Sequence, residues 1–131
     1  MEMSKIYPSQ LYISEQKLKK VQESLNSTQM VQYEPIPIKE LNGKTIFVDG
    51  HTRAVALHLI GYNTIQVYQE YEDLDWELYE ICVQWCVDEE IYSIEDLSKR
   101  IIPHSQYEIL WYQRCDELHA KIEKQRKKEK N

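Results

Sequence analysis

Glycine is scarce in this chain of 131 residues, with three in all. That excludes a long glycine-rich phosphate loop, and neither G-x-x-x-x-G-K-[ST] nor G-x-G-x-x-G occurs. Phenylalanine occurs once, against ten Tyr and three Trp. The aromatic content is therefore amphipathic and suited to half-wet surfaces and interfaces. Cysteine is present in an odd number, three, which argues for reduced thiols rather than a disulfide framework. Cys82 and Cys86 stand four apart on a predicted helix and Cys115 lies far away. Without paired C-x-x-C spacing no metal site is expected, and the thiols read as buried free cysteines. No apolar run approaches the roughly 18–20 residues that span a bilayer. Met1-Glu2-Met3-Ser4-Lys5 is not an apolar signal segment. A cytoplasmic protein without membrane contact is the expectation.

What is present is one domain's worth of chain, 42% hydrophobic, enough for a core without cross-links. The net charge of −6 is unevenly spread. Residues 1–72 carry 7 basic and 8 acidic side chains, residues 73–117 carry 3 and 12, and residues 118–131 carry 6 and 2. An acidic body argues against DNA, whose backbone needs clustered Lys and Arg. The basic tail, 121–131, reads as a solvated helix end.

The spacing predicts an α+β fold. Gln10–Ile13 reads as a short strand, and Ser14 caps a helix from Glu15 to Leu25 with Leu18, Val21 and Leu25 on one face. Asn26-Ser27-Thr28 ends it. Pro35 and Pro37 forbid a helix, and Ile36 and Ile38 alternate as in an edge strand. Asn42-Gly43 predicts a hairpin joining Ile36–Leu41 to Lys44–Val48. A helix from about His51 to Ile60 stops at Gly61, and Thr64–Tyr68 is a strand. After Tyr71 no strand pattern persuades. Leu74, Leu78, Ile81 and Trp85 imply a helix. Ser93-x-x-Asp96 opens a short one through Arg100, Pro103 breaks the chain, and Ser105-x-x-Glu108 opens a long last helix. Its stripe is Tyr107, Leu110 or Trp111, Arg114, Leu118 and Ile122. Residues 1–72 thus form a small mixed sheet with packed helices, and residues 73–131 a helical C-terminal half packed on it.

The most pointed stretch is Ile46-Phe47-Val48-Asp49-Gly50-His51-Thr52-Arg53-Ala54. A strand, a tight Asp-Gly turn and a helix start aim backbone N–H groups and one arginine at one point, which suits an anion. Arg53 in a first helical turn is slightly unfavourable against the helix dipole, so a phosphate or carboxylate partner is expected for it. His51 can donate to an anion or shuttle a proton. Asp49 can orient Arg53, bind Mg²⁺ beside a phosphate, or act as a base. The same residues can also do no more than hold a strand–helix corner through an Asp49–Arg53 pair, with His51 exposed.

A Pro-Ile-x-Ile hairpin feeding Val48-Asp49-Gly50-His51-x-Arg53, then x-x-Ala56 and Gly61, resembles the ParB/sulfiredoxin-like superfamily over roughly Pro8 to Tyr68. The Asp49–Arg53 string looks closest to the Asp-Gly-His-His-Arg form of the ParB-like free serine kinases. The resemblance implies nucleotide phosphates bound by Gly50, His51, Thr52 and Arg53. It also implies ATP or another nucleoside phosphate as cofactor, with Mg²⁺. Sulfiredoxin chemistry needs a cysteine where this chain has His51, and ParB proper continues into a DNA-binding segment that the acidic second half does not resemble. The kinase form has His at Thr52 and relies on a glutamate near the first helix, for which Glu15 is the candidate.

Two readings follow. In the first the chain is a ParB-like nucleotide-binding protein acting as a small-molecule phosphotransferase with ATP or ADP, with Asp49, His51 and Glu15 as catalytic residues. In the second it is a non-catalytic interaction or regulatory module, of the kind the resemblance places on bacterial phage and mobile-element genomes. Its Tyr/Trp-rich helical half would then meet a protein partner or a second copy.

Overall fold

A computed structural model describes residues 1–26 and 33–130. The expected stop at Ser27-Thr28 lies outside them. A 3-10 turn (Met3–Lys5) opens the chain, followed by β1 (Ile13–Ser14), α1 (Glu15–Asn26), β2 (Ile36–Leu41), β3 (Lys44–Phe47), α2 (His51–Leu59) and β4 (Val67–Gln69). Then come α3 (Trp76–Asp88), α4 (Ile94–Leu97), β5 (Ile101–Ile102), α5 (His104–Tyr107), a π-helical turn (Glu108–Tyr112) and α6 (Gln113–Glu129). The fold is α+β. No helix among the described residues is long and apolar enough to cross a membrane.

The hairpin forms where Asn42-Gly43 predicts it. Asn42 (φ 51°) and Gly43 (φ 78°) are both left-handed, the geometry that matches strand twist in a two-residue turn. β2 and β3 pair antiparallel with Ile38 opposite Phe47. β2 also pairs in parallel with β4, giving the order β3–β2–β4. The edge placement expected for β2 is therefore corrected: it is central. Ile36 donates to Gln66 O and Val48 donates to Pro37 O. Pro37 lies beyond the Ile38–Phe47 rung, so its missing N–H leaves the β3 ladder intact.

The other strand expectations also shift. The strand at Gln10–Ile13 is two residues, Ile13–Ser14, and the last sheet strand runs Val67–Gln69 rather than Thr64–Tyr68. Thr64 instead bridges Glu2. Residues after Tyr71 do include a strand, against expectation. β5 pairs in parallel with β1, Ile13 opposite Ile101. Two residues carry too little periodicity to announce a strand.

Helix starts follow capping chemistry, with two corrections. Ser14 Oγ accepts the Lys17 N–H at 3.3 Å, as a cap should. Ser93 is the N-cap of α4 without a side-chain cap bond, and the helix ends at Leu97 rather than Arg100. Asp96 reaches back to the Tyr92 N–H instead, at 2.8 Å. The last helix begins at His104 behind Pro103, one residue before the Ser105 box. Backbone angles remain helical from Tyr107 through Gln113, so α5, the π turn and α6 form one rod. On its stripe Trp111 is buried and Leu110 exposed.

The core draws on the whole chain. Ile6, Leu11, Ile13, Ile36, Phe47 and Leu57 pack in one cluster with Ile91, Ile94, Leu97, Tyr107 and Trp111. Each such buried large side chain contributes about 1.5–3 kcal/mol of transfer free energy. Tyr107 and Trp111 thereby bring the helical rod into the same core as Phe47 at the end of β3.

Candidate functional site

β3 delivers its last residues inward: Ile46 and Phe47 are fully buried and Val48 nearly so. The chain then turns at Asp49-Gly50. Asp49 Oδ1 accepts the Gly50 N–H at 2.8 Å. Gly50 takes φ 77° as the N-cap of α2, and a Cβ there would stand 3.1 Å from Ile36 Cγ2. Both the backbone angle and the close approach to β2 demand glycine.

His51 is the first residue of α2 and is 4% exposed. Its ring tilts on Phe47 at 5.5 Å. Nε2 accepts the Ser9 N–H at 2.9 Å, which assigns the ring proton to Nδ1. Ser9 Oγ lies 3.3 Å from Nε2 and donates to Phe47 O at 2.7 Å. Burial pulls the imidazole down to about 4, opposed in part by the Asp49 charge. His51 is therefore neutral at pH 7. The expectation of an exposed His51 at this corner is corrected.

The Asp49–Arg53 pair is also not formed. Arg53 Nη1 donates to Glu34 O at 2.7 Å, anchoring the guanidinium to the segment that leads into β2. Thr52 beside it is half-buried. No side chain caps the first turn of α2. Glu15, at the start of α1, is exposed and pairs with Lys19 at 3.5 Å.

Beside this corner is a cleft of about 360 Å³, within the size range of small-molecule sites. Its floor is Val48, Asp49 and His51, and one side is Ser9 and Gln10 from the segment before β1. Leu74, Asp75, Leu78, Tyr79 and Cys82 of the α3 region form the next wall, and Trp111 and His119 of the rod close it. Of the residues expected to act, the fold brings Asp49 and His51 together here. Gly50, Thr52, Arg53 and Glu15 are not among the cleft's lining.

The walls are held by distinct contacts. Arg126 of α6 grips Asp75 with both guanidinium nitrogens at 2.9 Å and reaches Glu77 at 3.2 Å. This bidentate grip holds the Asp75 carboxyl below its usual range. The Cys82 thiol is pushed up to about 12, chiefly by burial, so it stays protonated. Burial and then the Asp49 charge raise Tyr79. Gln10 Nε2 donates to Tyr12 O at 2.8 Å and to the Tyr107 hydroxyl at 3.0 Å. Trp111 sits in the π-helical turn and meets Trp85 edge-on at 6.4 Å.

Ser9, Gln10, Tyr79 and His119 are not legible in the sequence as site residues, because their neighbours in the cleft are remote in the chain. Nor is the place of His104, whose Nδ1 lies 2.8 Å from Ser14 Oγ and whose ring stacks on Tyr107. Pro103, which ends β5 and starts the helix, was the available signal. Among the described residues no group of three or more His, Cys, Asp or Glu is gathered to hold a metal.

No family model matches the chain, and no curated protein matches it. Among solved structures it is similar to protein Atu1540 from Agrobacterium tumefaciens, at 13% identity and a TM-score of 0.48, covering 74% of this chain. The chain spans 59% of that protein's length.

Proposed function

We propose that the chain is a nucleotide-binding protein of ParB/sulfiredoxin-like type, holding the phosphates of ATP, ADP or another nucleoside phosphate at the start of α2. The observation that supports this is the form of that helix start. An uncapped first turn opens at a left-handed Gly50, with Arg53 in the turn and its guanidinium pinned by Glu34 O. Backbone N–H groups and an anchored cation at one helix N-terminus are suited to a phosphate. Asp49 stands beside them. A single carboxylate with nucleotide phosphates is an ordinary donor set for Mg²⁺, so Asp49 fits that ion, whose charge would offset that of the phosphates. If the protein transfers a phosphoryl group, Asp49 is the residue placed to meet the reacting groups, and the cleft is where an acceptor sits. His51 would serve as a positioning residue, fixing the α2 start through Ser9.

A second reading, a non-catalytic binding or regulatory module, is favoured by two observations. His51 is neutral with Nε2 occupied, and Glu15 is paired with Lys19 away from the cleft lining. In this reading Ile109, Leu110 and Tyr112, exposed on the π turn, would meet a protein partner.

Calorimetric titration with ATP, ADP, CTP and inorganic phosphate, with and without Mg²⁺, tests the proposal. Binding that Arg53→Ala weakens by about tenfold or more supports the phosphate site. No heat and no thermal stabilisation with any nucleotide would refute it. Turnover of nucleotide with an added hydroxyl compound selects the first reading, and tight binding without turnover selects the second.

A further inference from the structure

The cleft has a chemical character of its own. Its lining includes no Lys or Arg among the described residues. Tyr79, Cys82, Trp111 and His119 bring groups that can donate, while Asp49, Gln10 and Ser9 present acceptors. Asp49 is exposed and presents a carboxylate, with Oδ1 already receiving the Gly50 N–H. Gln10 spends both amide hydrogens on Tyr12 O and the Tyr107 hydroxyl, which leaves its carbonyl oxygen as the group to offer. Ser9 spends its hydroxyl proton on Phe47 O and its N–H on His51. Asp75, the second carboxylate, is already engaged by Arg126. Around these acceptors the walls are apolar: Val48, Leu74, Leu78 and Trp111.

We infer that the cleft binds a primary organic amine, its ammonium on Asp49 and its apolar or aromatic body against Leu74, Leu78 and Trp111. An ammonium supplies three donors and no acceptor, which complements the Asp49 carboxylate and the free Gln10 carbonyl oxygen. A charge-assisted bond to a carboxylate at a partly enclosed site outweighs a neutral one. An anion would face the Asp49 charge with no Lys or Arg in the cleft lining to offset it. A cavity of about 360 Å³ matches a ligand of one aromatic ring and a short chain. The amine site and the phosphate site share only the Asp49 corner, and the amine inference stands without the nucleotide reading.

The test is calorimetric titration without nucleotide, using three probes of one shape: 2-phenylethylamine, 2-phenylethanol and 3-phenylpropionate. The amine should bind at least about tenfold more tightly than the alcohol, and the carboxylate should be the weakest. Asp49→Asn keeps the oxygen that receives the Gly50 N–H and should erase the preference for the amine. Leu78→Arg, which places a cation on the apolar wall, should abolish amine binding in a protein whose circular dichroism is unchanged. Equal or tighter binding of the carboxylate would overturn the inference. So would an amine that fails to bind, or a preference that survives in Asp49→Asn.

Discussion

The cleft is walled by two regions held together by opposite chemistry. At the β3–α2 corner the contacts that fix His51 are buried: its Nε2 accepts the Ser9 N–H, and Ser9 Oγ donates to Phe47 O inside the core. At the opposite wall α3 and α6 are joined at the surface, where Arg126 meets Asp75 and Glu77. A buried neutral network fixes a geometry because leaving any member unpaired is costly. An exposed ion pair, screened by water and salt, holds its partners loosely. The corner is thus the rigid side of the site and the α3–α6 wall the side able to yield, which suits the proposed phosphate site beside an adaptable cleft.

Substitutions should separate the two regions by size of effect. The largest belongs to Phe47, fully buried beneath His51. Phe47→Ala should lose about 3–5 kcal/mol of stability, measured by urea unfolding. A loss below about 1 kcal/mol would mean that the corner is not the rigid side.

Acidification comes next. His51 has a folded pKa of about 4, below the ordinary 6.5. The unfolded chain therefore binds the proton first, and stability is full above pH 6.5 and falls as pH drops toward 4. The loss from this one group is of order 3 kcal/mol. Urea midpoints from pH 7 to 4 should show it, and His51→Gln should flatten the profile in that window. An unchanged slope in the variant would assign the acid sensitivity elsewhere.

Gly50→Ala should cost about 1–3 kcal/mol, because it forces a left-handed backbone on alanine and sets its methyl 3.1 Å from Ile36. The smallest effect is at the other wall. Arg126→Ala should move the melting temperature slightly at low salt and not at all near 1 M salt, where the screening length is about 3 Å. A large, salt-independent loss would overturn the contrast between the walls.

The chain announces its fold unevenly. The Asn42-Gly43 hairpin, the α2 start at Gly50 and the Ser14 cap are readable because backbone angle and capping chemistry are local. The β1–β5 pair is not, since two isoleucines before Pro103 have no period. The central place of β2 was hidden by Pro37, which looks like an edge residue until its rung is known. At the site, Asp49, Gly50 and Arg53 are legible as one string. Ser9, Gln10 and Trp111 reach the cleft only through tertiary packing. The fate of His51 turned on Ser9, forty-two positions away; a string of residues shows that a histidine is near a turn, not that its ring is buried and neutral.

The central claim, a phosphate cradle at the start of α2, is tested most directly by amide chemical shifts in a ¹⁵N-labelled protein titrated with ATP. The largest shifts are expected at the N–H groups of His51, Thr52 and Arg53, with those of α6 beyond the cleft nearly unmoved. Shifts confined to the basic end of α6, or none at saturating nucleotide, would contradict it.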